Sequence, residues 1–161
     1  MDDSSKPVPE TEFPTFGRLL GIDFGTKRVG IAVSTPEQNI SSPVETYTRR
    51  NEKLDEKYFL EKVQEFRVAG LIVGLPVHMS GEESQKSKEA REFGGWLGET
   101  TGLPVRYWDE RFSSSAAEEI LQSMNLTKKK RKARIDQLAA QIFLQSYLDS
   151  PDKQQTPIAY L

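Results

Sequence analysis

Apolar positions near the start of this chain fall into short runs, and later ones recur at helical spacing. Leu19 to Phe24 is an apolar run carrying a single carboxylate, Asp23. It turns through Gly25-Thr26-Lys27 into a second apolar run, Val29 to Val33. Two β-rich runs joined by a short glycine-containing link predict a hairpin. The first third of the chain therefore predicts strands at about 17–24, 28–35 and 43–48. Leu54 to Arg67 predicts an amphipathic helix with Leu54, Tyr58, Phe59, Val63 and Phe66 inward. Gly70 to Leu75 is continuously apolar between glycine and proline, which suits a central strand buried on both faces. Glu82 to Glu99 predicts a helix packing through Ala90, Phe93, Trp96 and Leu97, and Leu103 to Glu110 a fifth strand. Ser115-x-x-Glu118 has capping-box spacing and opens a helix through Ile120 and Leu121. Asn125 to Lys132 predicts a polar link. A last helix follows to about Asp149, with apolar residues at 135, 138, 139, 142 and 143.

Three strands in a meander and then alternating helix and strand predict an α/β domain. Its sheet is mixed and five-stranded, the first three strands antiparallel and the last two parallel, flanked by helices. Residues 1–15 hold Pro7, Pro9 and Pro14 among polar residues and read as a disordered N-terminal arm. Residues 16–150 read as the folded domain, and residues 151–161 as a loose C-terminal tail.

Three acidic positions stand where a solvated carboxylate is not expected. Asp23 ends an apolar strand, where an unpaired charge is costly. Asp109 and Glu110 end the run Leu103 to Trp108 and point to opposite faces, so one of them can join Asp23. Asp136 falls on the edge of the last helix's apolar stripe, where it can face a cleft while its neighbours pack. Oxygen ligands from three distant segments suit a hard divalent cation, Mg²⁺ or Mn²⁺.

Net charge is −2, which argues against bulk attraction to nucleic acid. The charge is unevenly placed, however. Lys128, Lys129, Lys130, Arg131, Lys132 and Arg134 put six cations into seven residues just before Asp136, a cluster able to neutralise phosphates. Cysteine is absent, which excludes disulfides, thiolate catalysis and Cys-ligated zinc and fits a reducing cytoplasm. No apolar run of about 18 residues predicts a membrane span, and the N-terminus lacks the pattern of a signal peptide.

Four ordered motifs resemble the YqgF/RuvX family, which is similar to the RuvC Holliday-junction resolvases. They are Gly21-x-Asp23-x-Gly25-x-x-Arg28-x-Gly30-x-Ala32, Gly74-Leu75-Pro76, Asp109-Glu110-Arg111-Phe112-Ser113 and Asp136-x-x-Ala139-Ala140. The resemblance covers about 17–149 and implies an RNase H-like fold. It also implies a metal-dependent nuclease with Asp23, Glu110 and Asp136 as catalytic metal ligands, Glu110 matching the RuvC-type strand-ending Glu. The implied substrate is the 5′ end of precursor 16S rRNA, with a four-way DNA junction as the alternative. Two departures stand out: His78-Met79-Ser80-Gly81 lacks the acidic residue usual in that turn, and Ile135 replaces a usual Val.

Arg28 and Arg111, beside the acids, are candidates for the substrate phosphate together with the basic run. His78 reads as a surface-turn residue. Two other classes compete: a catalytically inactive RNA-binding protein, and an ATPase-like phosphate module suggested by Gly21 to Thr26. The chain is too short for the two lobes such an ATPase needs. Nothing in the sequence announces a dimer, so a monomer or weak homodimer is expected.

Overall fold

The run Leu19 to Ile22 is buried throughout, which puts its strand, β1 (Arg18–Asp23), in the middle of the sheet. The computed structural model describes residues 13–76, 84–109 and 128–150, and of residues 128–135 the helical backbone. Its further elements are β2 (Arg28–Ser34), β3 (Ser41–Thr48), α1 (Glu52–Phe66), β4 (Val68–Leu75), α2 (Gln85–Thr101), β5 (Val105–Asp109) and α3 (Lys128–Asp149). The sheet order is β3-β2-β1-β4-β5. β1 runs antiparallel to β2 and β2 to β3, while β4 and β5 join in parallel. The mixed sheet is the one expected.

Strand alternation sorts the core into two layers. Leu20, Ile22, Phe24, Val29, Ile31, Leu71 and Val73 pack against Phe59 of α1 and Ala90, Phe93 and Leu97 of α2. Leu19, Ala32 and Ile72 face the other way, onto Ala140, Phe143, Leu144 and Tyr147 of α3. On that second face two glycines let the helix approach closely. A Cβ on Gly21 would stand 3.1 Å from the Leu144 Cβ, and one on Gly30 only 2.1 Å from the Asp136 carbonyl oxygen.

The helices begin and end on local signals. Asn51 Oδ1 accepts from the Leu54 amide to cap α1, and Ser84 Oγ accepts from the Ser87 amide to cap α2. α2 stops at Gly102, which adopts the left-handed conformation at φ 73°. The far half of α3 is tied to the start of β3. Ser41 donates its amide to Gln145 Oε1 at 2.8 Å and its hydroxyl to the Gln141 carbonyl at 2.8 Å.

Several expectations need correction. α1 starts at Glu52, and its inner face includes Asp55, 1% exposed, whereas Leu54 is 42% exposed. The stripe through Phe59 continues four residues back to Asp55, one position round the helix from Leu54. α3 begins at Lys128 and absorbs most of the expected polar link. Lys, Arg and Ala are good helix formers, and no Gly or Pro interrupts them. Phe13, assigned to the arm, is buried against Tyr147. Residues 1–12 of the arm, the Ser115–Glu118 capping box with its helix, and the 151–161 tail lie outside the described residues.

The close contact at Gly30 makes a direct prediction. Gly30→Ala must push α3 off the sheet and should cost about 1–3 kcal/mol. Gly95→Ala, in α2 where an added Cβ meets nothing within 4 Å, should instead stabilise by about 0.5–1 kcal/mol. Urea unfolding of the two variants against the parent checks both signs.

Candidate active site

Asp23 is the last residue of β1 and shares its face with Leu19 and Gly21, so it looks toward α3 rather than toward α1 and α2. It pairs directly with Gly30 of β2. The Asp136 backbone rests on that same glycine. Asp23 and Asp136, one from each end of the domain, are thus brought to one mouth at the carboxyl end of β1, where open α/β sheets place their ligands. Asp136 is 27% exposed and its Oδ2 lies 3.5 Å from Nε of Arg28, the first residue of β2. An ion pair this exposed is worth up to about 1 kcal/mol. Arg28 is therefore held loosely and can be drawn to another anion.

Gly25 serves the turn between these residues. A Cβ there would sit 2.3 Å from the Arg28 carbonyl oxygen, so only glycine lets the chain fold back this tightly between Asp23 and Arg28. Gly21 and Gly30 serve close packing against α3, and Gly25 the tight turn.

β5 gives the side on which the first of the two neighbouring acids lies. Asp109 pairs in register with Leu75, which belongs to the layer facing α1 and α2. Asp109 thus lies on the face opposite Asp23. Glu110, Arg111 and His78 lie outside the described residues, as do the side chains of Lys128, Lys129, Lys130, Arg131, Lys132 and Arg134. The basic run itself is helical and leads along α3 to Asp136. Among the described residues no three His, Cys, Asp or Glu side chains gather as a metal site. Asp23 and Asp136 do fit a hard cation: both are carboxylates, they share one face, and water reaches them.

The opposite face holds an arrangement the sequence reading missed. A cleft of about 780 Å³ opens beside Phe24, Lys27, Arg49, Arg50, Phe93 and Trp96. Beneath it the buried Asp55 carboxylate accepts from the Tyr47 hydroxyl at 2.7 Å, the Arg50 amide at 3.0 Å and Arg49 Nε at 3.3 Å. The Arg49 guanidinium lies over the rings of Phe93 and Phe24, 5.0 and 5.5 Å from their centroids. The one signal in the sequence was a carboxylate four residues before Phe59, on the helix's inner stripe. Burial, and then the bond to Asp55, push the Tyr47 phenol up to about 12.

The family model described as "RuvX: Holliday junction resolvase" matches residues 17–150. A curated relative from Rhodopirellula baltica, named "Putative pre-16S rRNA nuclease", is 44% identical over 141 residues, 88% of this chain and 82% of the relative. One of the same name from Syntrophomonas wolfei is 42% identical over 132 residues, 82% of this chain and 94% of its own length. Among solved structures, Thermus thermophilus RuvC bound to a Holliday-junction substrate aligns with TM-score 0.51 and 19% identity, covering 79% of this chain and 91% of that one. The fowlpox virus resolvase in its junction complex aligns with TM-score 0.51 and 12% identity, covering 82% and 97%. At these identities the two structures establish the RNase H-like fold and nothing finer.

The Tyr47 shift has a sign that can be checked. A phenol whose folded-state pKa is raised stabilises the fold fully below its unfolded value near 10, and the contribution is lost as pH climbs through about 12. Urea unfolding at increasing alkaline pH should therefore show the parent losing stability more steeply than Tyr47→Phe across that window.

Proposed function

The chain belongs to the RuvX family of nucleases, and on that premise we propose that Asp23, Glu110 and Asp136 carry its phosphodiester hydrolysis, with the 5′ end of precursor 16S rRNA as substrate. The observation that carries this reading is the seating of Asp136 on Gly30, directly across from Asp23. It supports a shared acidic mouth built from two segments far apart in sequence. The pairing of Asp109 with Leu75, on the face away from Asp23, favours Glu110 over Asp109 as the third acid of this reading.

Mg²⁺ or Mn²⁺ held by these carboxylates would supply Lewis acidity at the phosphate and lower the pKa of an attacking water. Asp23 and Asp136 supply the negative charge that holds such an ion. Arg28, loosely paired with Asp136, can turn to a non-bridging phosphate oxygen when substrate enters, as can Arg111. No protein nucleophile is required, in keeping with a chain that has no cysteine and one histidine. Lys128, Lys129, Lys130, Arg131, Lys132 and Arg134 would hold the substrate backbone upstream of the acids, positioning it without reading sequence. The cytoplasm is the compartment this substrate implies. No helix among the described residues is long and apolar enough to cross a membrane. A four-way DNA junction is the second reading, favoured by the description of the matching family.

Purified protein incubated with Mn²⁺ or Mg²⁺ and, in parallel, precursor rRNA fragments and four-way junctions should cleave the rRNA at its 5′ end. Cleavage confined to junctions would transfer the assignment to the second reading. Asp23→Asn should lower cleavage by at least about 10²-fold while substrate affinity stays within about twofold, because the amide keeps the shape but loses the charge. Undiminished cleavage would remove Asp23 from the catalytic role.

Replacing Lys128, Lys129 and Lys130 with Gln tests the phosphate contacts. Glutamine preserves helix propensity, so α3 should survive. Binding should weaken for all substrates alike, and the salt slope should fall by about 0.7 per lost contact on single strands. Titrations at several salt concentrations decide it, and an unchanged slope would place the substrate path elsewhere.

A further inference from the structure

Asp23 and Arg28 are separated by the turn Phe24 to Lys27, and that turn is gripped from the side away from the acids. The Phe93 ring, 4.9 Å from that of Phe24, is one hold, and Arg49 supplies two more. Its backbone amide donates to the Lys27 carbonyl at 2.8 Å. Its guanidinium lies over the ring of Phe24, the residue next to Asp23. Alternation along the strand sends Phe24 to the α1 and α2 layer and Asp23 to the α3 side, so a hold on the ring fixes the backbone that aims the carboxylate.

Arg49 is in turn held by Asp55. The carboxylate bonds Nε of Arg49, the amide of Arg50 and the hydroxyl of Tyr47, so it fixes the segment leading from β3 into α1 from both sides of Arg49. Asp55 also donates its own amide to the Asn51 carbonyl, which locks it into the first turn of α1. A buried ionic group contributes little net stability, because desolvation offsets the attraction. What three converging donors do provide is one defined geometry.

We propose that Asp55 is a positioning residue for the nuclease reaction: through Arg49 it holds the turn between β1 and β2, and so sets Asp23 and Arg28 from the opposite face of the sheet. The proposal rests on the assignment of Asp23 to catalysis.

The test uses the full chain carrying Asp55→Asn, with circular dichroism confirming the fold at the assay temperature. Amide hydrogen exchange at Arg49, whose amide donates to the Lys27 carbonyl of the turn, should speed up while amides of β4 and of the far half of α3 keep their parental rates. Mn²⁺ affinity, measured by calorimetry without substrate, should fall about tenfold, the loss typical when a support behind a metal ligand is removed. Cleavage should lose kcat with KM nearly unchanged. Parental Arg49 exchange and parental Mn²⁺ affinity in the folded variant would overturn the proposal, as would a loss of protection spread evenly over the domain. Should Asp55→Asn not fold, Tyr47→Phe and Arg49→Gln each remove one bond of the network and should show the same local effect in smaller measure. Their failure to do so would equally overturn it. Should the parent bind no Mn²⁺ and Asp23→Asn cleave normally, the catalytic reading falls on its own. Exchange at the Arg49 amide still decides whether Asp55 holds the turn.

Discussion

The contact on which the rest of the structure depends is the seating of α3 on Gly30. The helix backbone comes so near the sheet that any side chain at that position would occupy the space of the Asp136 carbonyl. Side chains between packed layers normally keep their backbones apart. Here Gly21, Gly30 and Ala32 lower the sheet surface beneath one helix, and Leu144 and Ala140 settle into the depression. A helix lodged in this way cannot slide along its axis without a clash. The hydrogen bonds from Ser41 to Gln141 and Gln145 then fix its other half. Glycine contact and serine bonds together hold Asp136 opposite Asp23 more firmly than the exposed Arg28 pair could.

Much of this was legible in the sequence, for identifiable reasons. Short β-rich runs between glycines and prolines marked the five strands, and their order implied the mixed sheet. Asp136 stood out because a carboxylate bordered an apolar stripe. Alternation was enough to say that Asp109 and Glu110 face opposite ways, and pairing with Leu75 assigns Asp109 its side. Asp55 was not legible, because a lone carboxylate on a helix reads as solvated. Its partners Tyr47, Arg49 and Arg50 meet it only once β3 and α1 are folded together. The start of α3 was misread because charge was taken as a loop signal, although Lys and Arg favour helices.

The two faces of the sheet divide the labour. Successive residues of a strand point opposite ways, so the backbone that aims a side chain at the tip of β1 can be braced from the other face as well. In the proposed arrangement that bracing comes from the face where Phe24, Phe93 and Arg49 stack above a buried carboxylate. That network keeps its charges out of the acidic mouth, because the sheet lies between them.

Electrostatics along α3 argue in the same direction as the acids. The helix opens with Lys128, Lys129 and Lys130, and no acidic residue stands in its first turn. Cations at a helix N-terminus oppose the macrodipole, each by about 0.3–1 kcal/mol. Like charges spaced three or four residues apart, such as Lys128 with Arg131 and Lys132, repel by a few tenths of a kcal/mol more. A stretch this much at odds with its own helix is the kind of local conflict that functional segments carry. In the proposed reading a phosphate backbone would relieve both penalties at once, neutralising the lysines and presenting negative charge to the positive end of the helix. In a chain whose net charge is −2, the proposed reading makes this concentration of cations the place where a polyanion would land. The axis of α3 then leads from that place to Asp136.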